Sequence, residues 1–406
     1  MSNTISDSKP TVISVDKPIA RNKKSINEDT WTFIKKEPNR VLTFIKELKQ
    51  WISDNDNSSF YLFGAGNYMP YVVKLLQKHG IPVSAIVDSF RGGTSFKGIP
   101  IIQWSIFLKK LESLNPRFLI SAPSVANQIV KQINKSLPNA IIDRCGMEIE
   151  FFSEYVPDVE QYRTYLLNNY TLFEEFALSL EDELSQHTLE CVLKGRISGD
   201  FSYFSACAVG NQYYPNGIIK FSDHELVVEL GSFDGTTLRD FIERCPKYYC
   251  VYCFEPELRL QPYLEMIRME EEKKGNRIVL VPKGAWDCED TLQFYIDDSL
   301  TGSSTLAMNY GRREAVEIET ITIDKLIHEP ITYIKMDIEG AELRALRGAV
   351  NQITTYRPKL AICVYHKTND LLDIWNYLRK IVPGYRFYLR HHEKNNGTET
   401  VLYAIP

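Results

Sequence analysis

The sequence predicts an α/β protein with two successive doubly wound, Rossmann-like sheets, and three observations carry that reading. Short apolar runs recur with room for one helix between them, at 60–63, 82–87, 118–121 and 140–143, and again at 226–230, 249–254, 278–281, 333–336 and 360–365. The first run of each series ends in a glycine turn followed by helical spacing, Gly64-Ala-Gly66 and Gly231-Ser-Phe-Asp-Gly235. Between the two series, residues 155–222 lose the strand signal.

The 406 residues exceed what one hydrophobic core usually serves, so two domains are expected. Residues 1–30 are polar and unpatterned and read as an N-terminal arm. A smaller Rossmann-like domain follows over 31–150. It opens with an amphipathic helix at 41–52 and has later helices at 70–79, begun by Pro70, and at 124–135. Residues 151–224 are a helical preamble, with helical pattern over 162–193 and an irregular aromatic stretch at 195–214. Residues 225–406 form the second α/β domain.

Composition removes several classes. A net charge of −5 without a long basic cluster gives no field that gathers phosphate backbones, so nucleic acid is not expected as a partner. Apolar runs fall far short of the ~20 residues a membrane span needs. Eight cysteines without a leader-like N-terminus suggest reduced thiols and a cytoplasmic location. Cys250 and Cys253 form a C-x-x-C inside an apolar strand, where residues three apart face opposite sides and share no metal.

The chemistry concentrates at the second glycine turn. Gly231 lets the chain turn sharply after the strand at 226–230, and Gly235 admits a ligand or a helix where a Cβ would obstruct. Glu229 and Asp234 flank this turn and would repel a pyrophosphate, whereas carboxylates suit an ammonium or a sulfonium. Glu255 ends the next strand, where an acid accepts the two hydroxyls of a ribose, and Pro256 keeps it extended.

The stretch from Asn211-Gln-Tyr-Tyr214 through Glu225-Leu-Val-Val-Glu-Leu-Gly-Ser-Phe-Asp-Gly-Thr-Thr237, with Phe254-Glu-Pro256 and Ile334-Lys-Met-Asp-Ile-Glu-Gly-Ala-Glu342, resembles the FkbM family of methyltransferases. The likeness covers roughly residues 211–406. It implies a class I methyltransferase sheet, S-adenosylmethionine as donor, and O-methylation of sugar hydroxyls or natural-product alcohols. Glu229 stands where many relatives have Asp. On this reading Glu229, Gly231, Ser232, Asp234, Gly235 and Glu255 bind the cofactor. Gly284-Ala-Trp286 lets adenine lie against backbone, and Asp337 completes the set. The pair of strands at 386–391 and 398–405, around Asn395-Asn-Gly397, matches the antiparallel end of such a sheet.

Two further strand ends carry titratable groups to the same edge. Asp337 follows the strand at 333–336 and precedes Glu339 and a helix at 341–350, and His366 follows the strand at 360–365. Asp337 or His366 suits proton removal from a hydroxyl. Alternatively Asp337, Glu339 and His366 hold a divalent cation. Gln212, Tyr213, Ser303 and Ser304 are candidates for meeting the acceptor, and 291–296 and 317–323 read as added, half-exposed strands.

In the first domain, Gly64-Ala-Gly66 with Asp88 twenty-two residues on resembles a nucleotide turn, but Met69 takes the third glycine position. Together with Phe96-Lys-Gly-Ile-Pro-Ile101 this domain is similar to small Rossmann-like domains attached to sugar-modifying transferases. It is expected to pack structurally or to bind a nucleotide sugar. The leading expectation is an O-methyltransferase acting on a carbohydrate or glycoconjugate precursor. The rivals are a nicotinamide-dependent sugar oxidoreductase and a non-catalytic nucleotide-sugar or S-adenosylmethionine binder. The oligomeric state is left open, a homo-oligomer included.

Overall fold

The computed structural model describes residues 24–55, 59–111, 116–144, 151–152, 155–297 and 313–406. Helices α1 (Glu28–Lys36) and α2 (Arg40–Asp54) each start on an asparagine whose side chain accepts backbone amides of the first turn. The expected arm therefore joins the fold before residue 30. Ile26 and Thr30 are buried, and Trp31 Nε1 donates to Glu174 Oε1 at 2.5 Å.

The first sheet comprises β1 (Phe60–Phe63), α3 (Met69–Lys78), β2 (Ala85–Asp88), β3 (Thr94–Phe96), β4 (Ile99–Gln103), α4 (Trp104–Lys110), β5 (Arg117–Ile120), α5 (Ala126–Ser136) and β6 (Ile141–Arg144). Its order is β3-β4-β2-β1-β5-β6, parallel except for β3. The β3–β4 hairpin has no counterpart in the sequence reading. Its turn places Lys97 as well as Gly98 at positive φ (47° and 79°), and a lysine there gives no turn signal.

A helical layer follows: α6 (Val159–Asn168), α7 (Tyr170–Ser179), α8 (Glu183–Ser198) and α9 (Ser202–Cys207). The irregular stretch expected over 195–214 is thus corrected. Gly195 lies inside α8 because the Phe204 ring packs on it, 2.6 Å from where a Cβ would stand, and α8 ends instead at Gly199 with φ 71°.

The second sheet unit begins with β7 (Leu226–Leu230), α10 (Thr236–Arg244), β8 (Cys250–Phe254), α11 (Gln261–Glu272) and β9 (Ile278–Val281). After β10 (Gly284–Ala285), β11 (Thr291–Asp297), β12 (Arg313–Ile321) and α12 (Ile323–Leu326) the chain returns to the sheet at β13 (Tyr333–Met336). It closes with α13 (Glu342–Arg347), α14 (Val350–Tyr356), β14 (Lys359–Cys363), α15 (Asp370–Ile381), β15 (Arg386–His391) and β16 (Thr400–Ile405).

The order is β15-β16-β14-β13-β7-β8-β9, with β16 alone antiparallel to its neighbours. Strands β10, β12 and β11 form a separate three-stranded sheet rather than extending the main one. The single helix expected over 341–350 is two helices, broken at Gly348, where a Cβ would stand 1.9 Å from the Trp286 carbonyl oxygen. Cys250 and Cys253 do fall on opposite faces of β8, each in a different apolar cluster. One apolar core runs from Leu62, Ile86 and Leu119 of the first sheet through Phe176 and Trp375 to Ile334, Leu360 and Leu402 of the second.

Neutral histidines pin the end of this sheet. His391 meets Thr400 Oγ1 at 2.9 Å and the Asn396 carbonyl at 3.1 Å; His392 meets the Val209 carbonyl at 3.0 Å and Tyr403 Oη at 2.9 Å. Burial pushes both down to about 4. In the unfolded chain they take up protons near pH 6.5, so their stabilisation is complete above that pH and is lost as pH falls toward 4. Each should cost about 1.4 kcal/mol per pH unit across that window. Urea unfolding between pH 7 and 4.5 should show a steeper loss in the wild type than in His392→Gln; equal slopes would contradict the assignment.

Candidate active site

Strand β7 is central, and the chain leaves it to build β8 on one side and returns to β13 on the other. The switch point therefore lies between the carboxyl ends of β7 and β13, where open α/β sheets bind ligands. The two turns touch there. Gly231 has φ 76°, a Cβ on it would stand 1.9 Å from the Asp337 carbonyl oxygen, and the Asp337 amide donates to the Leu230 carbonyl at 3.1 Å. Lys335 ties the same turn from below, its Nζ donating to the Gly231 carbonyl at 2.6 Å. Gly235, with φ 85°, admits the Ile267 side chain of α11, which a Cβ would meet at 2.3 Å.

The expected cofactor residues divide by position. Glu229 and Ser232 lie beneath the turn, each about 1% exposed; Thr237 Oγ1 donates to the Glu229 carboxylate and Ser232 Oγ to the Glu229 carbonyl. Burial raises the Glu229 carboxyl above its ordinary value. Asp234 is exposed at the rim and accepts the Thr236 amide at 2.9 Å. Glu255 reaches across the turn. Its carboxylate receives the Phe233 and Glu257 amides, both at 2.9 Å, and burial pushes it up to about 7.

Next along the edge, Gly284 and Ala285 pair with Thr320 and Ile321, and the Arg344 guanidinium lies 4.8 Å from the centre of the Trp286 ring. This donor set fits S-adenosylmethionine: Glu255 suits hydroxyl donors, and the acidic edge suits a cationic ligand.

Asp337 gathers the remaining groups. Tyr213 Oη donates to Oδ2 at 2.6 Å and Tyr365 Oη to Oδ1 at 3.3 Å. His366 Nε2 stands 3.4 Å from Asp337 Oδ1 and 3.8 Å from Glu339 Oε1, and Nδ1 stands 2.9 Å from Glu342 Oε1. His366 lies three residues past β14 rather than directly at its end. Burial opposes its protonation, but Glu342, Glu339 and Asp337 outweigh burial and hold the imidazolium well above the usual histidine range. Burial likewise opposes ionisation of Asp337, yet Lys335 and His366 keep its carboxyl below the ordinary value.

Gln212 donates to Glu399, whose other oxygen accepts Tyr365 Oη at 3.2 Å. Burial and the neighbouring Asp337 push Glu399 up to about 7. Glu342 and Glu399 are additions to the sequence reading. The first closes the Asp-Ile-Glu-Gly-Ala-Glu run, and the second follows the hairpin signal by two residues. Ser303 and Ser304 lie outside the described residues.

The first-domain turn closes on itself. Asp88 accepts the Ala65, Phe90 and Arg91 amides, each at 2.9 Å, and Arg91 Nη1 donates to the Ala65 carbonyl at 2.7 Å. A carboxylate so engaged with backbone supports the structural role.

The order of the sheet and its one antiparallel strand are those of the class I methyltransferase fold. Residues 223–387 match the family model described as the methyltransferase FkbM domain, so the chain carries an FkbM methyltransferase domain over that stretch and is an S-adenosylmethionine-dependent methyltransferase. A crystal structure of Methyltransferase FkbM from Methylobacillus flagellatus KT shares the fold over 94% of each chain, with a TM-score of 0.64 and 24% identity. An rRNA methylase from Streptococcus thermophilus is similar over 45% of this chain and 86% of its own, with a TM-score of 0.29 and 14% identity. Aeropyrum pernix fibrillarin, solved with bound S-adenosyl-L-methionine, is similar over 47% of this chain and 70% of its own, with a TM-score of 0.30 and 13% identity. Among curated proteins none matches. No helix among the described residues is long and apolar enough to cross a membrane.

The contact between the two turns yields a prediction. Gly231→Ala forces a side chain into positive φ, at about 1–3 kcal/mol, and into the Asp337 carbonyl. Thermal melting should fall, and the stabilisation by S-adenosylhomocysteine should shrink with it. An alanine variant that melted and bound like the wild type would show that the turns do not abut.

Proposed function

We propose that the chain methylates a hydroxyl of a carbohydrate or glycoconjugate precursor, with Glu255 and the 231–235 turn holding the donor. The observation that carries this reading is a relay of polar groups from the donor edge to an open cavity. Asp337 is joined through Tyr365 to Glu399, and Glu399 lines a cavity of about 310 Å³ together with Glu393, Asn395, Asn396 and Thr398. The amides, hydroxyl and carboxylates of these side chains can hydrogen-bond a ligand rich in hydroxyls.

When bound, S-adenosylmethionine supplies an electrophilic methyl group. The chain's own part is to bind the ribose at Glu255 and to orient the acceptor hydroxyl beside Asp337, whose ionised carboxylate, with Glu339 nearby, accepts its proton while the His366 imidazolium, already protonated, holds that carboxylate in place. Gln212 and Tyr213 serve by fixing Glu399 and Asp337. On this reading the first domain packs against the catalytic unit without a ligand of its own.

Donor binding and turnover should separate on mutation. S-adenosylhomocysteine at ~100 times its dissociation constant should stabilise the fold by roughly 2.7 kcal/mol, and Glu255→Ala should reduce that shift. Asp337→Asn should keep most of the shift while turnover of sugar acceptors with isotope-labelled methyl donor falls by ~100-fold to 10,000-fold. Near-normal turnover in both Asp337→Asn and His366→Ala would return these residues to structural roles. Stabilisation by NAD and not by S-adenosylhomocysteine would overturn the donor site.

A further inference from the structure

Three histidines stand at one end of the second sheet, and one differs from the others. His391 and His392 face hydroxyls and carbonyls, and burial leaves both neutral. His366 is 3% exposed and has a carboxylate at each ring nitrogen: Glu342 Oε1 stands 2.9 Å from Nδ1, and Asp337 Oδ1 stands 3.4 Å from Nε2. Pinning a loop needs no charge, as the other two show. A buried imidazolium is costly, and folds keep such groups where the charge is used.

The acid at Nδ1 is unusual in its own right. Glu342 is 0% exposed, and among the described residues no lysine or arginine pairs with it. Lys335 is bonded to the Leu230 and Gly231 carbonyls, and Lys367 Nζ to the Gly340 carbonyl. Asp370, the acid beside Glu342, accepts the Lys367 amide at 2.7 Å and is pushed up to about 7 by burial and by Glu342. His366 is thus the cation that Glu342 faces, and Glu342 is the acid pressed closest to His366.

The backbone builds this pairing. Glu339 and Gly340 take φ of 56° and 92° and turn the chain back between Asp337 and Glu342. A non-glycine residue at positive φ is strained, and such strain persists where the surrounding fold enforces it. The Ile338 amide donates to Glu342 Oε1 at 3.0 Å and fixes the carboxylate in that turn. One turn therefore supplies both arms of a clamp. A histidine lends a metal a single nitrogen, so acids at opposite nitrogens make a clamp and not a ligand set on one side of the ring.

We propose that Glu342 is a positioning residue for methyl transfer, holding His366 from its Nδ1 side as a cation whose Nε2 edge stays against the Asp337 carboxylate. Being fully buried, Glu342 offers no surface to donor or acceptor. Its carboxylate offsets the burial that would strip the proton from His366, and Glu339 and Asp337 add to it. Glu399 feels the same cation from the hairpin side. The imidazolium in turn joins Lys335 in keeping Asp337 ionised. The role in methyl transfer rests on the proposed function, in which Asp337 accepts the proton; the charge on His366 does not.

The test compares the full chain with Glu342→Gln and Glu342→Asp. Nitrogen-15 NMR reads the His366 ring at about pH 8, where an unperturbed histidine is neutral, with its signal assigned by its absence in His366→Gln. Thermal shift with S-adenosylhomocysteine reads donor binding, and transfer of labelled methyl to methyl glycosides reads turnover. The wild type should show both ring nitrogens protonated, Glu342→Gln a neutral ring, and Glu342→Asp, which keeps the charge, a protonated one. All three should be stabilised by S-adenosylhomocysteine, which shows that they are folded. In Glu342→Gln kcat should fall by roughly 100-fold with KM little changed, and Glu342→Asp should recover part of it. A protonated ring or a wild-type kcat in Glu342→Gln would overturn the proposal, and a neutral ring in the wild type would overturn it without any variant. A ring that follows Glu342 in a chain that methylates no glycoside would uphold the clamp and overturn the carbohydrate reading.

Discussion

The contact on which the rest of the site depends is the meeting of two backbone turns, at Gly231 after β7 and Asp337 after β13. Because the strands are direct neighbours in register, with Leu230 opposite Met336, the residues that follow them emerge side by side. A bare Cα at 231 lets the Asp337 carbonyl come close, and the Lys335 ammonium bridges the carbonyls left behind. On the proposed reading, donor-binding groups hang from one turn and acceptor-side groups from the other. The distance between the two halves of the chemistry is thus fixed by backbone, which is stiffer than any pair of side chains.

Electrostatics follow from that geometry. Crowding Asp337, Glu339, Glu342, Asp370 and Glu399 at one end of a buried sheet makes some of them hard to ionise; Asp370 and Glu399 are pushed up to about 7 by burial and by their acidic neighbours. Burial opposes ionisation of Asp337 and Glu342, yet Lys335 and His366 keep Asp337 ionised and the His366 imidazolium does the same for Glu342. An acidic edge of this kind receives cationic ligands at low cost and repels phosphates.

The central strands were legible in the sequence because both faces of a parallel sheet are covered, which leaves unbroken apolar runs at 226–230, 250–254 and 333–336. The positions of Glu255, Asp337 and His366 just past the carboxyl ends of β8, β13 and β14 were legible because each follows an apolar run. What stayed hidden depends on packing between distant segments. Gly195 reads as a helix breaker until Phe204 covers it, and Gly348 reads as helix interior until the Trp286 carbonyl approaches. Glu342 looks like an ordinary first-turn acid until His366 folds back onto it, and Glu399 looks like a strand residue although its φ of 64° takes it out of the ladder. Local propensity contains none of these contacts.

A crystal structure of the full chain with S-adenosylhomocysteine tests the central claim most directly. The account predicts ligand density along the 231–235 turn, with the ribose hydroxyls on the Glu255 carboxylate and the sulfur toward Asp337. Density at the 64–66 turn of the first domain instead, or a ligand whose ribose lies away from Glu255, would contradict it.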